Sequence, residues 1–272
     1  MTYLEAIILG VLQGLTEFLP ISSSGHLVLA QHFLGLHEPQ LFFDVMLHVG
    51  TLGAIVIVYY RELWALTKSG LGAFFSPSFY QHPIQNVNRA PDLMLIWFIV
   101  LGSIPTALMG LLFKDPLEQL FGKPTIVAGM LVVTGLILQL PRLRRKTASS
   151  TLRFWHAPLI GIAQGIAITP GISRSGSTIS LALLLGIAPN IAARYSFLLS
   201  IPAILGAALL QLRDVTEIVT APAVIVAGTL ASFVVGYVAL RVLLAMLNRG
   251  RFSVFSYYCF AVGLVALVKL AL

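Results

Sequence analysis

The chain has 272 residues, of which 58% are hydrophobic and 10% charged, with a formal net charge of +7. Soluble globular domains carry about 25% charged residues, so this composition cannot cover a water-facing surface and excludes a soluble domain. The basic residues sit in short loops beside apolar runs, without a basic stripe interleaved with aromatics, which excludes nucleic acid as a partner.

The first apolar region, 1–36, is interrupted by Pro20 and the cluster Ser22-Ser23-Ser24-Gly25, and it reads as helix, break, helix. Its opening residues, Met1 to Glu5, lack a basic flank and include an acid, unlike a cleaved signal peptide. Residues 41–60 form the first clean run, and a helix of about 20 apolar residues suffices to cross a bilayer. Segment 62–75, with Trp64, Lys68 and Phe74, reads as an interfacial amphipathic helix, and 76–91 as a polar loop. Runs 92–113 and 124–140 follow, then a basic loop at 141–154 and a second broken region at 155–187. Runs 190–212, 220–247 and 253–271 complete the chain, with Pro105 and Pro202 marking kinks inside spans. The single cysteine, Cys259, lies in the last run, so no intrachain disulfide forms. Because the apolar stretches are continuous and do not alternate, helices outrank a barrel. The expected fold is an all-α integral membrane protein, one domain over 1–272, with six transmembrane helices and two re-entrant helix-break-helix hairpins.

The two broken regions align with each other. At a constant offset of 151, Gly10, Gln13, Gly14, Ser22, Ser24 and Gly25 fall on Gly161, Gln164, Gly165, Ser173, Ser175 and Gly176, while the prolines slip by one position. This spacing predicts an internal repeat, with one copy over about 1–140 and the other over about 155–272, joined by loop 141–154. Three spanning runs separate the copies, so if each hairpin enters and leaves on one face, the second copy faces the opposite way. Such inverted repeats place a site near the midplane, where half-helix termini meet.

Charge asymmetry sets the orientation. Loops 61–91, 141–154 and 248–252 collect Arg61, Lys68, Arg89, Arg142, Arg144, Arg145, Lys146, Arg153, Arg249 and Arg251, whereas the opposite face has Lys114, Lys123, Arg213 and Lys269. The positive-inside rule makes the first face cytoplasmic and leaves both termini outside.

Within the apolar regions a few polar residues stand out. Glu17 and Gln13 lie four apart on one helix face, just before Pro20. An ionisable group at membrane depth costs about 2.5–3.5 kcal/mol, which makes Glu17 a functional candidate. Ser22, Ser23 and Ser24 with His26 supply hydroxyls beside an imidazole, the equipment for nucleophilic attack assisted by proton transfer. Arg174 is the only charged residue between 157 and 193, and it is flanked by Ser173, Ser175, Ser177 and Thr178. A guanidinium with hydroxyls at a helix N-terminus suits phosphate oxygens. Together the copies offer a nucleophile and charge neutralisation for phosphoryl transfer inside a bilayer, so a phosphorylated lipid is the simplest substrate. Asp44 and His48, four apart, read equally as a pair inside the bundle or as cavity lining, and Arg194 and Arg241 as snorkelling residues.

The stretches Gln13-x-x-x-Glu17, Pro20-Ile-Ser-Ser-Ser-Gly-His26 and Pro170-Gly-Ile-Ser-Arg-Ser-Gly-Ser-Thr178 closely resemble the undecaprenyl-diphosphatase family, also called the bacitracin-resistance proteins. The likeness extends over essentially the whole chain. It implies hydrolysis of undecaprenyl diphosphate to undecaprenyl phosphate and inorganic phosphate, recycling the lipid carrier of peptidoglycan synthesis. The implied place is the bacterial inner membrane, among membrane lipids, with both termini periplasmic and the site opening to that side; a homodimer is compatible with it. The implied cofactor is a divalent cation, Mg²⁺ or Ca²⁺, at Glu17 with Gln13. The resemblance makes Ser23 the attacking hydroxyl and His26 the acid or base, with His26 as nucleophile in an alternative proposal. Arg174 holds the diphosphate with Ser173 and Thr178, and Ser22, Ser24 and Ser175 are further binding candidates. Gln13 stands where some members carry Glu, so a second carboxylate is missing. A type-2 phosphatidic-acid phosphatase is excluded, because Ser180 occupies the place of the histidine such enzymes need after Ser173-Arg174. The competing class is a polyprenyl-phosphate flippase using the same anion site, which needs neither Ser23 nor His26 as chemistry.

Overall fold

The computed structural model describes residues 1–36, 41–77, 81, 87, 90–143, 151–214, 220–248 and 252–272. Most of the polar loop at 76–91, and the basic residues Arg89, Arg144, Arg145, Lys146, Arg249 and Arg251, lie outside the described residues.

Among the described residues there are twelve α-helices. The first broken region is α1 (Tyr3–Phe18) and α2 (Ser23–Phe33), and Thr2 with Glu5 forms a capping box that starts α1. Then come α3 (Leu41–Val58), α4 (Tyr60–Phe74), α5 (Pro91–Leu112), α6 (Lys114–Phe121) and α7 (Pro124–Ile137). The second broken region is α8 (His156–Ile166) and α9 (Arg174–Leu185), followed by α10 (Pro189–Asp214), α11 (Pro222–Asn248) and α12 (Phe255–Ala271). Among the described residues five helices are long and apolar enough to cross a membrane, and α3 with α4, bent by 82° at Tyr59, makes a sixth where the bent pair counts as one span. The bend sets the amphipathic α4 nearly perpendicular to α3. Pro105 and Pro202 both fall inside helices. The short helix α6 falls between two predicted spans and was not expected. It is only two turns long, and Lys114, Asp115, Glu118 and Lys123 around it read in sequence as a loop.

The two halves use equivalent packing partners. α1 packs on α11 as α8 packs on α5, and α3 packs on α11 as α10 packs on α5. The pairs α3 with α10 and α7 with α12 are each their own equivalent and join the halves. Glycine makes the tightest of these contacts. A Cβ on Gly161 of α8 would lie 2.1 Å from the Gly102 carbonyl oxygen of α5, and one on Gly10 of α1 would lie 2.3 Å from the Gly228 carbonyl oxygen of α11. Small residues let helix backbones approach closely where apolar area gives no driving force against lipid. We expect Gly161→Ala to destabilise the protein by about 1–3 kcal/mol through overpacking. Gly129→Ala, on α7 with nothing within 4 Å of the new carbon, serves as the control that leaves the melting temperature in detergent unchanged or raised.

Candidate active site

Each broken region ends its first helix before a short turn and starts the second with a serine cap. Ser22 Oγ accepts from the Gly25 N–H at 3.2 Å, and Ser173 Oγ accepts from the Gly176 N–H at 3.0 Å. The Ser22 and Ser173 carbonyls likewise accept from His26 N–H and Ser177 N–H. The one-residue slip of the prolines has a backbone counterpart. The left-handed residue is Gly171 (φ 94°) in the second turn but Ser22 (φ 69°) in the first, where a side chain makes it a strained position. Each turn is tied to a spanning helix through an equivalent carbonyl. Thr134 of α7 donates to the Gly171 oxygen at 2.7 Å, and the Cys259 thiol of α12 donates to the Pro20 oxygen at 3.9 Å. The turns also meet, since a Cβ on Gly25 would fall 2.9 Å from Gly171 Cα. The N-termini of α2 and α9 therefore converge, with backbone N–H groups of their first turns left without intrahelical acceptors.

Glu17 is the hub of the convergence. Its buried carboxylate ion-pairs through Oε1 with Arg174 Nη2, across the two copies. Its Oε2 accepts from Ser23 Oγ at 2.5 Å and from Gln13 Nε2 at 2.9 Å. His48 Nε2 of α3 stands 3.4 Å from the same oxygen. The Arg174 Nη1 group is buried and has no hydrogen-bond partner, so one arm of the guanidinium is left for an acceptor. A donor in this state is costly unless a ligand satisfies it.

These groups line a cavity of about 710 Å³. Glu17, Ser22, Ser23, Ser24, Asp44, His48, Gln164, Ser173 and Arg174 supply much of its polar lining, and Leu27, Ala107, Leu111, Phe121, Ile168 and Ile204 are among the apolar residues that complete the wall. A charged, hydroxyl-rich cluster continuous with an apolar wall matches an amphiphile with a phosphorylated head.

Not every expected residue faces this space. His26 is outside the lining, because its Nδ1 bonds the Ser22 carbonyl at 2.8 Å and its Nε2 meets the Tyr258 hydroxyl at 3.0 Å, with the two rings stacked. A carbonyl only accepts, so Nδ1 carries the proton and Nε2 accepts from Tyr258, and neither ring nitrogen reaches Glu17 or Ser23. Ser175 and Thr178 are also outside the cavity. Ser175 Oγ lies within bonding distance of the Leu19 carbonyl, and Thr178 Oγ1 donates to the Arg174 carbonyl while sharing a 2.6 Å bond with Ser196. They brace the start of α9 and do not touch the space where a phosphate would sit. Conversely, His48 and Gln164 were not singled out by the sequence as site residues. The first had only its spacing from Asp44, and the second only its alignment with Gln13. Gln164 is fixed by Thr106 and the Leu199 carbonyl, leaving its Oε1 buried and unpaired.

The residues expected to hold a cation are Glu17 and Gln13. Both oxygens of Glu17 are engaged, and Gln13 donates its N–H to the carboxylate while its Oε1, the atom a cation would take, is buried without a hydrogen-bond partner. No cluster of three His, Cys, Asp or Glu side chains suited to a metal exists among the described residues.

Comparison with known proteins agrees with the sequence motifs. The family model described as bacitracin resistance protein BacA matches residues 6–265. The chain is 44% identical over 270 residues to the undecaprenyl-diphosphatase of Desulforapulum autotrophicum, covering 97% of each chain. It is 45% identical over 276 residues to that of Desulfosudis oleivorans and 40% identical over 269 residues to that of Methanosphaera stadtmanae, again covering 97% of each. The chain belongs to the bacitracin resistance protein BacA family.

Proposed function

We propose that this protein hydrolyses undecaprenyl diphosphate to undecaprenyl phosphate and inorganic phosphate, recycling the lipid carrier of peptidoglycan synthesis and conferring bacitracin resistance. The observation that carries the reading is the short contact from Ser23 Oγ to Glu17 Oε2, 2.5 Å, beside a guanidinium with a free buried arm. A hydroxyl hydrogen-bonded to a carboxylate is an activated nucleophile. In the first step Ser23 Oγ attacks the terminal phosphorus and its proton passes to Glu17 Oε2. The bond from that phosphorus to the bridging oxygen breaks, and undecaprenyl phosphate leaves with the electron pair. Arg174, helped by the first N–H groups of α2 and α9, stabilises charge on the equatorial oxygens. Water then attacks the phosphoserine, releasing phosphate and restoring the hydroxyl. We assign His26 a positioning part, because it holds the strained Ser22 carbonyl that sets the direction of Ser23.

The setting we infer is a bacterial inner membrane, with the basic loops cytoplasmic, both termini periplasmic and the cavity opening to that side. The matched packing partners of the two halves support an inverted repeat of about 1–140 and about 155–272. Mg²⁺ or Ca²⁺, in this reading, would be held by Glu17 with the unpaired Oε1 of Gln13 and would neutralise charge on the diphosphate.

The test is phosphate release from a polyprenyl diphosphate by the purified protein, with and without chelator. Ser23→Ala is expected to abolish release while leaving the melting temperature close to that of the parent. Wild-type-like release by this variant would remove Ser23 as the nucleophile.

A further inference from the structure

The phosphoserine step needs a second base. Once Glu17 has taken the Ser23 proton it is a carboxylic acid, and it returns that proton to Ser23 Oγ as the phosphoryl group leaves. The attacking water must lose a proton at the same time, and Glu17 is not available to receive it.

Besides Glu17 there are four candidates, of which Glu118 of α6 lines the cavity but makes no hydrogen bond or ion pair with Glu17 or Ser23. The Asp44 carboxylate lines the cavity, but its Oδ1 is bonded to the Gln31 amide at 2.6 Å and it makes no hydrogen bond with Glu17 or Ser23. His26 lies outside the cavity with both ring nitrogens engaged. His48 lines the cavity, its side chain is 27% exposed, and its Nε2 stands 3.4 Å from Glu17 Oε2. The other nitrogen fixes its state. Nδ1 lies 2.8 Å from the Asp44 carbonyl oxygen, one turn back on α3, and since that oxygen only accepts, Nδ1 carries the proton. In the neutral ring the lone pair is then on Nε2, the atom facing Glu17 Oε2 at 3.4 Å. Of the charged groups on the helices packed against α3, Arg194 pairs with Glu62 and Arg241 lies over Tyr237. In the site His48 stands beside Glu17 and the Arg174 paired with it.

Resting on the phosphatase reading above, we propose that His48 is a catalytic residue, the base that deprotonates the water attacking phosphorylated Ser23. One water hydrogen passes to His48 Nε2 as the water oxygen bonds to phosphorus. The bond from phosphorus to Ser23 Oγ breaks, and Oγ takes the proton held by Glu17. His48 then gives its proton to the departing phosphate or to solvent, and the site is restored. Glu17 thus serves the serine and His48 the water, so the two proton transfers are divided between two elements, α1 and α3.

The experiment follows a single turnover of a polyprenyl diphosphate labelled in its terminal phosphate, using the purified full chain and its His48→Gln and His48→Ala variants. Both variants are expected to release lipid monophosphate in a fast first turnover and to retain the labelled phosphate on Ser23. Their steady phosphate release should fall by about 10²–10⁴-fold. Adding Ser23→Ala should remove the retained label, and free imidazole should partly restore turnover to His48→Ala, which a merely structural role would not predict. Phosphate release within a few-fold of the parent in both variants would overturn the proposal, as would loss of the first turnover together with the label. If the unmodified protein itself releases no phosphate, the phosphatase reading fails, and that outcome is distinct from a failure confined to His48.

Discussion

Arg174→Ala is expected to lower phosphate release from a polyprenyl diphosphate by about 10³–10⁵-fold, the range in which an arginine that neutralises transferring phosphoryl oxygens acts. The guanidinium does two things at once. One arm holds Glu17 from the opposite copy, and the other is buried without a partner at the cavity. Lysine reproduces the charge but not the fork, so Arg174→Lys should recover only a small part of the rate. The alanine variant also leaves the Glu17 carboxylate buried without its cation, which typically costs about 3–5 kcal/mol. Stability and catalysis are separated by the double variant Arg174→Ala with Glu17→Gln, which removes both charges. It should melt closer to the parent than Arg174→Ala alone and remain inactive. Release by Arg174→Ala within tenfold of the parent would show that the phosphate does not depend on this residue.

Much of this site was legible in the sequence because the bilayer makes polar residues conspicuous. Glu17, Ser23 and Arg174 stood out as an acid, a hydroxyl and a cation in apolar surroundings, and the aligned turns placed them in two copies able to meet. The spanning runs were legible for the same reason, since a continuous apolar stretch has few alternatives in a membrane. The losses came where direction mattered more than position. His26 follows the serine cluster in sequence, yet it sits at the fourth position of α2, where its ring turns back over the Ser22 carbonyl and out to Tyr258, a residue more than two hundred positions away. Thr178 is one turn into α9, and there its hydroxyl bonds the carbonyl four residues back, a local option open to any threonine in a helix. His48 was obscured for the opposite reason. It comes from a third element, and only the packing of α3 beside α1 brings its ring to Glu17.

The alignment of the two copies also had a meaning that identities alone did not convey. Gln13 and Gln164 are equivalent in sequence, but the next turn carries Glu17 in one copy and Ile168 in the other. After the turn the asymmetry reverses, with Ser23 facing Arg174. One copy thus keeps the acid and the hydroxyl, and the other keeps the cation. The equivalent caps at Ser22 and Ser173 make the same bond to the third residue of their helices, although Ser22 is left-handed and Ser173 extended, and the functional side chains around them diverge.

Glu17→Gln is expected to lower phosphate release by about 10²–10⁴-fold, the usual contribution of a proton-transfer group in contact with the reacting oxygen. The amide keeps the size of the side chain and can still meet Arg174 or Ser23, but it cannot take the hydroxyl proton as Oγ attacks. The first step therefore fails, and no phosphate accumulates on Ser23. This outcome is the opposite of that expected for His48→Gln, where the first step proceeds and the second stalls. Glu17→Asp keeps the base but withdraws it by one methylene from a contact now at 2.5 Å, so its rate should fall between those of the parent and Glu17→Gln. Intact mass after rapid acid quenching distinguishes the variants, since the added mass of a phosphoryl group should appear in His48→Gln and be missing from Glu17→Gln. Phosphoserine in Glu17→Gln at the level of His48→Gln would mean that Ser23 gives up its proton without Glu17, and the base would then have to be sought among the oxygens of the diphosphate itself.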